Sequence, residues 1–244
     1  YMKSLSNKEI LITGTVAFDD IETPTGSSGK IIGGAGTYIA LAASIFSTKI
    51  SLVSVIGYDF LEEDIKMLQS KNINTDMIER ITGEKSFYWK GKYHSNFKTR
   101  DTLITELNAL EKFNPIVNQS SKKAEIIVLG NLHPSVQLSV LDQLDNDYNF
   151  VILDTMNFWM DTALDQLNKA INKTDLIVIN DEEAEQLTGE SNLEKASNRI
   201  LKMGPKIVII KKGDKGSEIF SEKESFHIPA YSIKSVVDPT GAGD

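Results

Sequence analysis

Six short apolar runs constrain this chain more than any other feature of its sequence. They are "EILITG" (Glu9 to Gly14), "ISLVSVIG" (Ile50 to Gly57), "EIIVLG" (Glu125 to Gly130), "FVILD" (Phe150 to Asp154), "DLIVIN" (Asp175 to Asn180) and "KIVIIKKG" (Lys206 to Gly213). Each is nearly continuous in β-branched and aliphatic residues, the pattern of strands buried on both faces. Helical patterns stand between most of them, such as "PSVQLSVLDQL", "MDTALDQLNKAI" and "NLEKASNRILKM". Strands alternating with helices of that length predict βαβ units, and so an α/β fold with a mainly parallel central sheet flanked by helices.

At 244 residues the chain suits one large α/β domain, or one domain plus a small appendage. Its net charge of −8 argues against nucleic acid or an anionic membrane as a partner, since both select basic surfaces. With no cysteine, disulfides, thiolate catalysis and Cys-ligated zinc are excluded. The apolar runs fall well short of the ~20 residues of a membrane span. The N-terminus "YMKSLSNKEI" has no apolar secretory core, so a cytoplasmic protein is expected.

One stretch departs from the rhythm of buried strands. In "KSFYWKGKYH" (Lys85 to His94), Phe87, Trp89 and Tyr93 alternate with Lys90, Lys92 and His94. This period of two predicts an antiparallel ribbon with one aromatic face, serving either as a lid over a pocket or as an edge strand of the main sheet.

In open parallel sheets, ligands bind beyond the carboxyl ends of the strands. The polar groups there are Asp19, Asn131, Asp154, Asn180, Glu183 and the stretch from Lys211 to Gly213. The strongest local signal is "VVDPTGAGD", Val236 to Asp244. Small residues let backbone approach a ligand closely, and free N–H groups at a helix start form an anion site. An aspartate on the same turn then stands beside the anion. Phosphoryl transfer to an alcohol needs such a pairing: donors for the phosphate and a carboxylate for the hydroxyl proton. The other reading is a strand-to-helix turn capped by Asp244. "NDEE", Asn180 to Glu183, likewise reads as a helix N-cap followed by acids that suit the helix dipole. No G-x-x-x-x-G-K-[ST] is present, so a nucleotide site here is not a P-loop.

"DPTGAGD" resembles the C-terminal signature of the ribokinase-like, or PfkB, family of carbohydrate kinases, D-[TP]-[TS]-G-A-G-D. "GGAGTYIALAAS" (Gly33 to Ser44) is similar to the family's N-terminal glycine signature. "NDEE" resembles its N-x-x-E motif, and "KKGDKG" its glycine-containing loop after the next strand. The four occur in family order, so the resemblance spans essentially the whole chain, residues 1–244, as a single ribokinase-like domain. It implies a small β-sheet lid built from segments near 15–35 and 83–100.

The resemblance also implies an ATP-dependent kinase acting on a hydroxyl of a sugar or sugar-like molecule. Asp244 would be the general base, and Gly241, Ala242 and Gly243 the anion hole. Asp19, Gly33, Gly34, Tyr38, Trp89 and Asn131 would face the acceptor. Asn180, Glu183, Lys211 and Gly213 would serve the nucleotide, with Glu183 placing Mg²⁺ through water. Asp238 and Thr240 match a loop that holds a monovalent cation such as K⁺. Ala17 and Tyr38 stand where ribokinase proper carries asparagines, and Leu132 falls near the position of its ribose-contacting glutamate, so the acceptor is expected to differ from ribose. A nucleoside kinase of the same fold and a non-catalytic ligand-binding relative are the alternatives. Family members continue past the catalytic aspartate, so the chain is expected to lack their C-terminal part. Pairing of aromatic lids predicts a homodimer.

Overall fold

Burial of the apolar runs on a shared sheet organises the structure, a computed structural model that describes residues 8–97, 99–145 and 150–244. The strands in chain order are β1 (Ile10–Thr13), β2 (Ala17–Thr23), β3 (Gly26–Gly33), β4 (Ile50–Gly57), β5 (Ile73–Ile81), β6 (Tyr88–Tyr93) and β7 (Arg100–Glu106). They continue with β8 (Ile126–Leu129), β9 (Phe150–Asp154), β10 (Leu176–Asn180), β11 (Ile207–Lys211), β12 (Ser217–Ser221) and β13 (Ser225–Ile228). Nine of them form the large sheet, in the order β13-β12-β11-β10-β9-β8-β1-β4-β5. Every pairing from β5 to β11 is parallel, while β12 and β13 close the far edge as antiparallel strands. This is the mainly parallel α/β architecture expected from the apolar runs.

Strand β1 lies between β4 and β8, with Ile12 opposite Leu52 on one side and Val128 on the other. It is buried on both faces, as is β4. The expectation of two-sided burial does not extend to β8–β11, where burial alternates residue by residue. Leu153, Ile177, Ile179, Val208 and Ile210 pack with Leu167, Ala170, Ile171, Ala184 and Ile200 from the helices Leu164–Asn172, Asp181–Thr188 and Leu193–Leu201. Those helices cover one face only, so Ile152, Val178 and Ile209 on the other are half-buried. A second core, of Ile10, Ile12, Ile50, Leu52 and Ile56, lies beneath the helix Ala35–Ala43.

The pattern "MDTALDQLNKAI" predicts one helix, but two form, Asn157–Thr162 and Leu164–Asn172. Ala163 between them sits at φ −145°, ψ 34°, outside the helical region, with its side chain buried.

The second sheet is small, in the order β3-β2-β6-β7. The ribbon read from the aromatic alternation is antiparallel to β7, as expected, but parallel to β2. A direct β2–β6 hairpin is ruled out because β4 and β5 of the large sheet intervene in sequence. Its last strand runs on to Glu106, past the segment expected from sequence. Register sets Asp19 beside Trp89, and Trp89 beside Thr105, so all three side chains project from one face. Phe18 and Tyr88 project from the other face, toward the second core. Among the described residues, no helix is long and apolar enough to cross a membrane.

Candidate active site

The carboxyl ends of the parallel strands and the Asp19 face of the small sheet supply the charged groups that converge on one cleft. Asp19 is only 5% exposed. Gly33 pairs with Ala17 across the β2–β3 hairpin, and a Cβ there would run into the Asp19 carboxylate, so only glycine fits. Gly34 N-caps the helix Ala35–Ala43 with φ 91°. From that helix the Tyr38 hydroxyl donates to Asp19 Oδ2 at 3.3 Å. Burial raises the Asp19 pKa to about 6, against the lowering effect of the Gly34 N–H and the Tyr38 hydroxyl. The charges of Asp244 and Asp238 nearby raise it further.

The terminal motif reaches this cleft as a series of turns, not as the start of a helix. Ala242 N–H donates to Pro239 O at 3.1 Å and Asp244 N–H to Gly241 O at 3.2 Å, while Gly241 takes φ +76°. Asp238 Oδ1 accepts the Thr240 N–H at 2.9 Å, and Thr240 Oγ1 donates to the Tyr93 hydroxyl at 3.2 Å. Asp244 is open to solvent by surface area. The surrounding walls still push its carboxyl up, opposed by the charges of Lys211 and Arg100.

Lys211, at the end of β11, joins three sequence motifs. Its Nζ donates to Gly243 O at 2.6 Å and lies 3.6 Å from Asp154 Oδ1. Burial raises Asp154 to about 7; Lys211 offsets part of that, and the charges of Asp244 and Glu183 add to it. Glu183 is 7% exposed, and burial pushes it up as well. It completes a capping box: Asn180 Oδ1 accepts the Glu183 N–H at 2.7 Å, and Glu183 Oε2 accepts the Asn180 N–H at 2.8 Å. The capping reading of "NDEE" therefore holds. Engagement through Oε2 fixes the Glu183 carboxylate in direction. Gly213 opens the turn after β11 at φ +58°.

Two expected residues are placed differently from the rest. Asn131 has both ends of its amide engaged, accepting from Trp159 Nε1 at 2.8 Å and donating to Met156 Sδ at 3.1 Å. Trp89 lies across Gly91, with the Arg100 guanidinium 5.6 Å from its ring centroid. Sequence reasoning left Asp154 among the polar strand ends and did not single out Arg100. The signal for Asp154 was its place at the end of β9, level with Val178 of β10. Arg100 gave no signal, because β7 is exposed at every position and carries no burial pattern.

Asp154, Glu183, Asp244 and the Lys211 ammonium beyond the parallel sheet, with Asp19 from the small sheet, describe a ribokinase-like phosphotransferase with a hydroxyl acceptor. Residues 11–244 match the family described as pfkB family carbohydrate kinase, and the chain belongs to that family. It is 26% identical over 243 residues to a cytidine kinase of Thermococcus kodakarensis, covering 97% of this chain and 84% of that one. In fold it is similar to the Burkholderia thailandensis nucleoside kinase in complex with inosine (TM-score 0.79, 18% identity, 96% of this chain and 80% of that one). It is also similar to a putative ribokinase II from E. coli in complex with ATP and Mg²⁺ (TM-score 0.80, 20% identity, 97% and 82%).

Proposed function

We propose that this protein transfers the γ-phosphoryl group of ATP to a hydroxyl of a sugar or nucleoside, with Asp244 as general base. The observation that carries the reading is that Asp19, Asp244 and Lys211 share one cleft: an acceptor-binding carboxylate, a base, and a cation that fastens the base's loop. Asp19, ionised above about pH 6, accepts hydrogen bonds from acceptor hydroxyls. Gly33 and Gly34 let the acceptor approach the backbone, and Trp89 stands beside Asp19 on the same face. The acceptor hydroxyl gives its proton to Asp244 as its oxygen attacks the γ-phosphorus. The bond from phosphorus to the β–γ bridging oxygen breaks, and ADP leaves. The backbone N–H groups of Gly241 and Gly243 and the ammonium of Lys211 stabilise charge on the moving phosphoryl group, while the Ala242 N–H is held by Pro239 O. Lys211 and Gly213 flank the nucleotide.

Asp154, Glu183 and Asp244 crowd around Lys211, and the rise in their pKa values, caused first by burial, is what a divalent cation would relieve. Among the described residues, no three His, Asp or Glu side chains are arranged as direct ligands. Asp154 and Glu183 would therefore hold Mg²⁺ through water, the ion supplying charge neutralisation to the phosphates. Asp238 and Thr240 would serve a monovalent cation. The exposed β7 edge, with Leu103 and Ile104, is the surface for a homodimer through the small sheets acting as lids.

The nucleoside reading is favoured over a free sugar by the cytidine kinase and nucleoside kinase names among the relatives, and by the Trp89 ring, which can stack a base. An ADP-release assay with ATP, Mg²⁺ and a panel of nucleosides and sugars tests it. Turnover with a nucleoside supports the reading, and no turnover with any acceptor refutes it.

A further inference from the structure

Tyr38 touches both halves of the cleft. Its hydroxyl donates to Asp19 Oδ2, and its ring lies flat against the backbone of Gly241, where an added Cβ would stand 2.7 Å from Cγ and Cδ1. Gly241 also holds φ +76°, so its freedom from a side chain serves the turn and the contact together. Three residues further on is Asp244. The phenol is anchored from its own side by the helix Ala35–Ala43, where the Tyr38 N–H donates to Gly34 O at 3.1 Å. Burial and the charge of Asp19 raise the pKa of the Tyr38 hydroxyl, so it stays a neutral donor across the physiological range.

We propose that Tyr38 is a positioning residue that ties the acceptor-binding carboxylate Asp19 to the loop carrying Asp244. The inference rests on the kinase reading for its functional meaning. The hydroxyl orients Asp19 and favours its charged form. The ring gives the 238–244 loop a flat seat, so the base is held at a fixed height above the acceptor. The two contributions separate by mutation, because phenylalanine keeps the ring and loses only the hydroxyl.

Groups that face Asp19 are the Tyr38 hydroxyl from the helix and Asp238 and Asp244 from the terminal loop. Removing the hydroxyl takes away a lowering contact and leaves the raising ones, so the Asp19 midpoint climbs above about 6. Tyr38→Phe is expected to raise the acceptor KM about tenfold with kcat nearly unchanged. The acidic limb of acceptor binding should move to higher pH. Tyr38→Leu should show the same KM effect and, in addition, a loss of kcat of tenfold or more, with faster amide hydrogen exchange across residues 240–244.

Carboxyl NMR of Asp19 and hydrogen exchange of the loop, measured on the full chain with both variants, need no turnover. They decide the inference even if the wild type phosphorylates nothing, an outcome that refutes the kinase reading alone. An unmoved Asp19 midpoint in Tyr38→Phe overturns the tie to Asp19. Equal loop exchange in wild type, Tyr38→Phe and Tyr38→Leu overturns the seat.

Discussion

Replacing Asp19 by asparagine should make the fold more stable while weakening acceptor binding. The Asp19 pKa rises from 3.8 to about 6 because the carboxylate is taken out of water. A pKa unit is worth ~1.4 kcal/mol, so carrying this charge at pH 7 costs the folded state about 3 kcal/mol. The sign follows from linkage. A carboxyl whose folded pKa is raised binds protons more tightly in the folded chain, so stability falls as pH climbs from about 4 through 6. Asparagine keeps an oxygen for the Tyr38 hydroxyl and the Gly34 N–H and carries no charge. In a chain of this size, about 3 kcal/mol corresponds to roughly 6–12 °C in Tm. Scanning calorimetry at pH 7.5 and pH 4 measures it. The variant should melt higher at pH 7.5, with the gain largely gone at pH 4. A gain that is the same at both values, or a variant less stable at pH 7.5, would refute the assignment of Asp19 as a buried, strained charge.

Asp244→Asn should reduce phosphoryl transfer ~10²–10⁴-fold with ATP affinity retained, by coupled assay and nucleotide titration; near-normal turnover would remove Asp244 from the base role. Asp19→Ala should raise the acceptor KM tenfold or more and leave the nucleotide KM alone, and the opposite split would mean the two subsites are reversed. Lys211→Met removes the cation 3.6 Å from Asp154 and the donor to Gly243. The Asp154 midpoint should then rise above about 7, visible by carboxyl NMR, and Mg²⁺-ATP binding should weaken; an unmoved midpoint would show that Lys211 is not its partner. Trp89→Ala should weaken acceptor binding, and light scattering should show a dimer, whereas a monomer indifferent to that substitution would reduce the small sheet to a decorated edge.

The parallel sheet was legible because its strands are short, apolar and continuous, and all six named runs became strands. β5 was not, since "INTDMIERI" alternates buried and exposed positions at the sheet edge and carries charges at Asp76, Glu79 and Arg80. β7, with no buried residue, gave no pattern at all. Among the site residues, Asp19 could be placed shortly after β1, Lys211 at the end of β11 and the terminal loop by its run of small residues. The convergence of Asp154 on Lys211 depends on the order β9-β10-β11, which apolar periodicity does not encode. The tie from Tyr38 to Gly241 joins residues two hundred positions apart and has no local signature.

The central position of β1 carries a cost in time. β1 is held by β4 and by β8, and the Glu9 N–H donates to the Glu125 carboxylate across 116 residues. At ~5–20 residues per second, a ribosome takes roughly 6–25 s to deliver the second partner. Until then Leu11 and Ile12, both fully buried in the finished sheet, have one open edge and half their neighbours missing. Long-range parallel pairing of this kind folds slowly. The nascent chain therefore spends those seconds as an unclosed β1–β4 unit, the window in which a chaperone that holds apolar strands would raise the yield of native protein most.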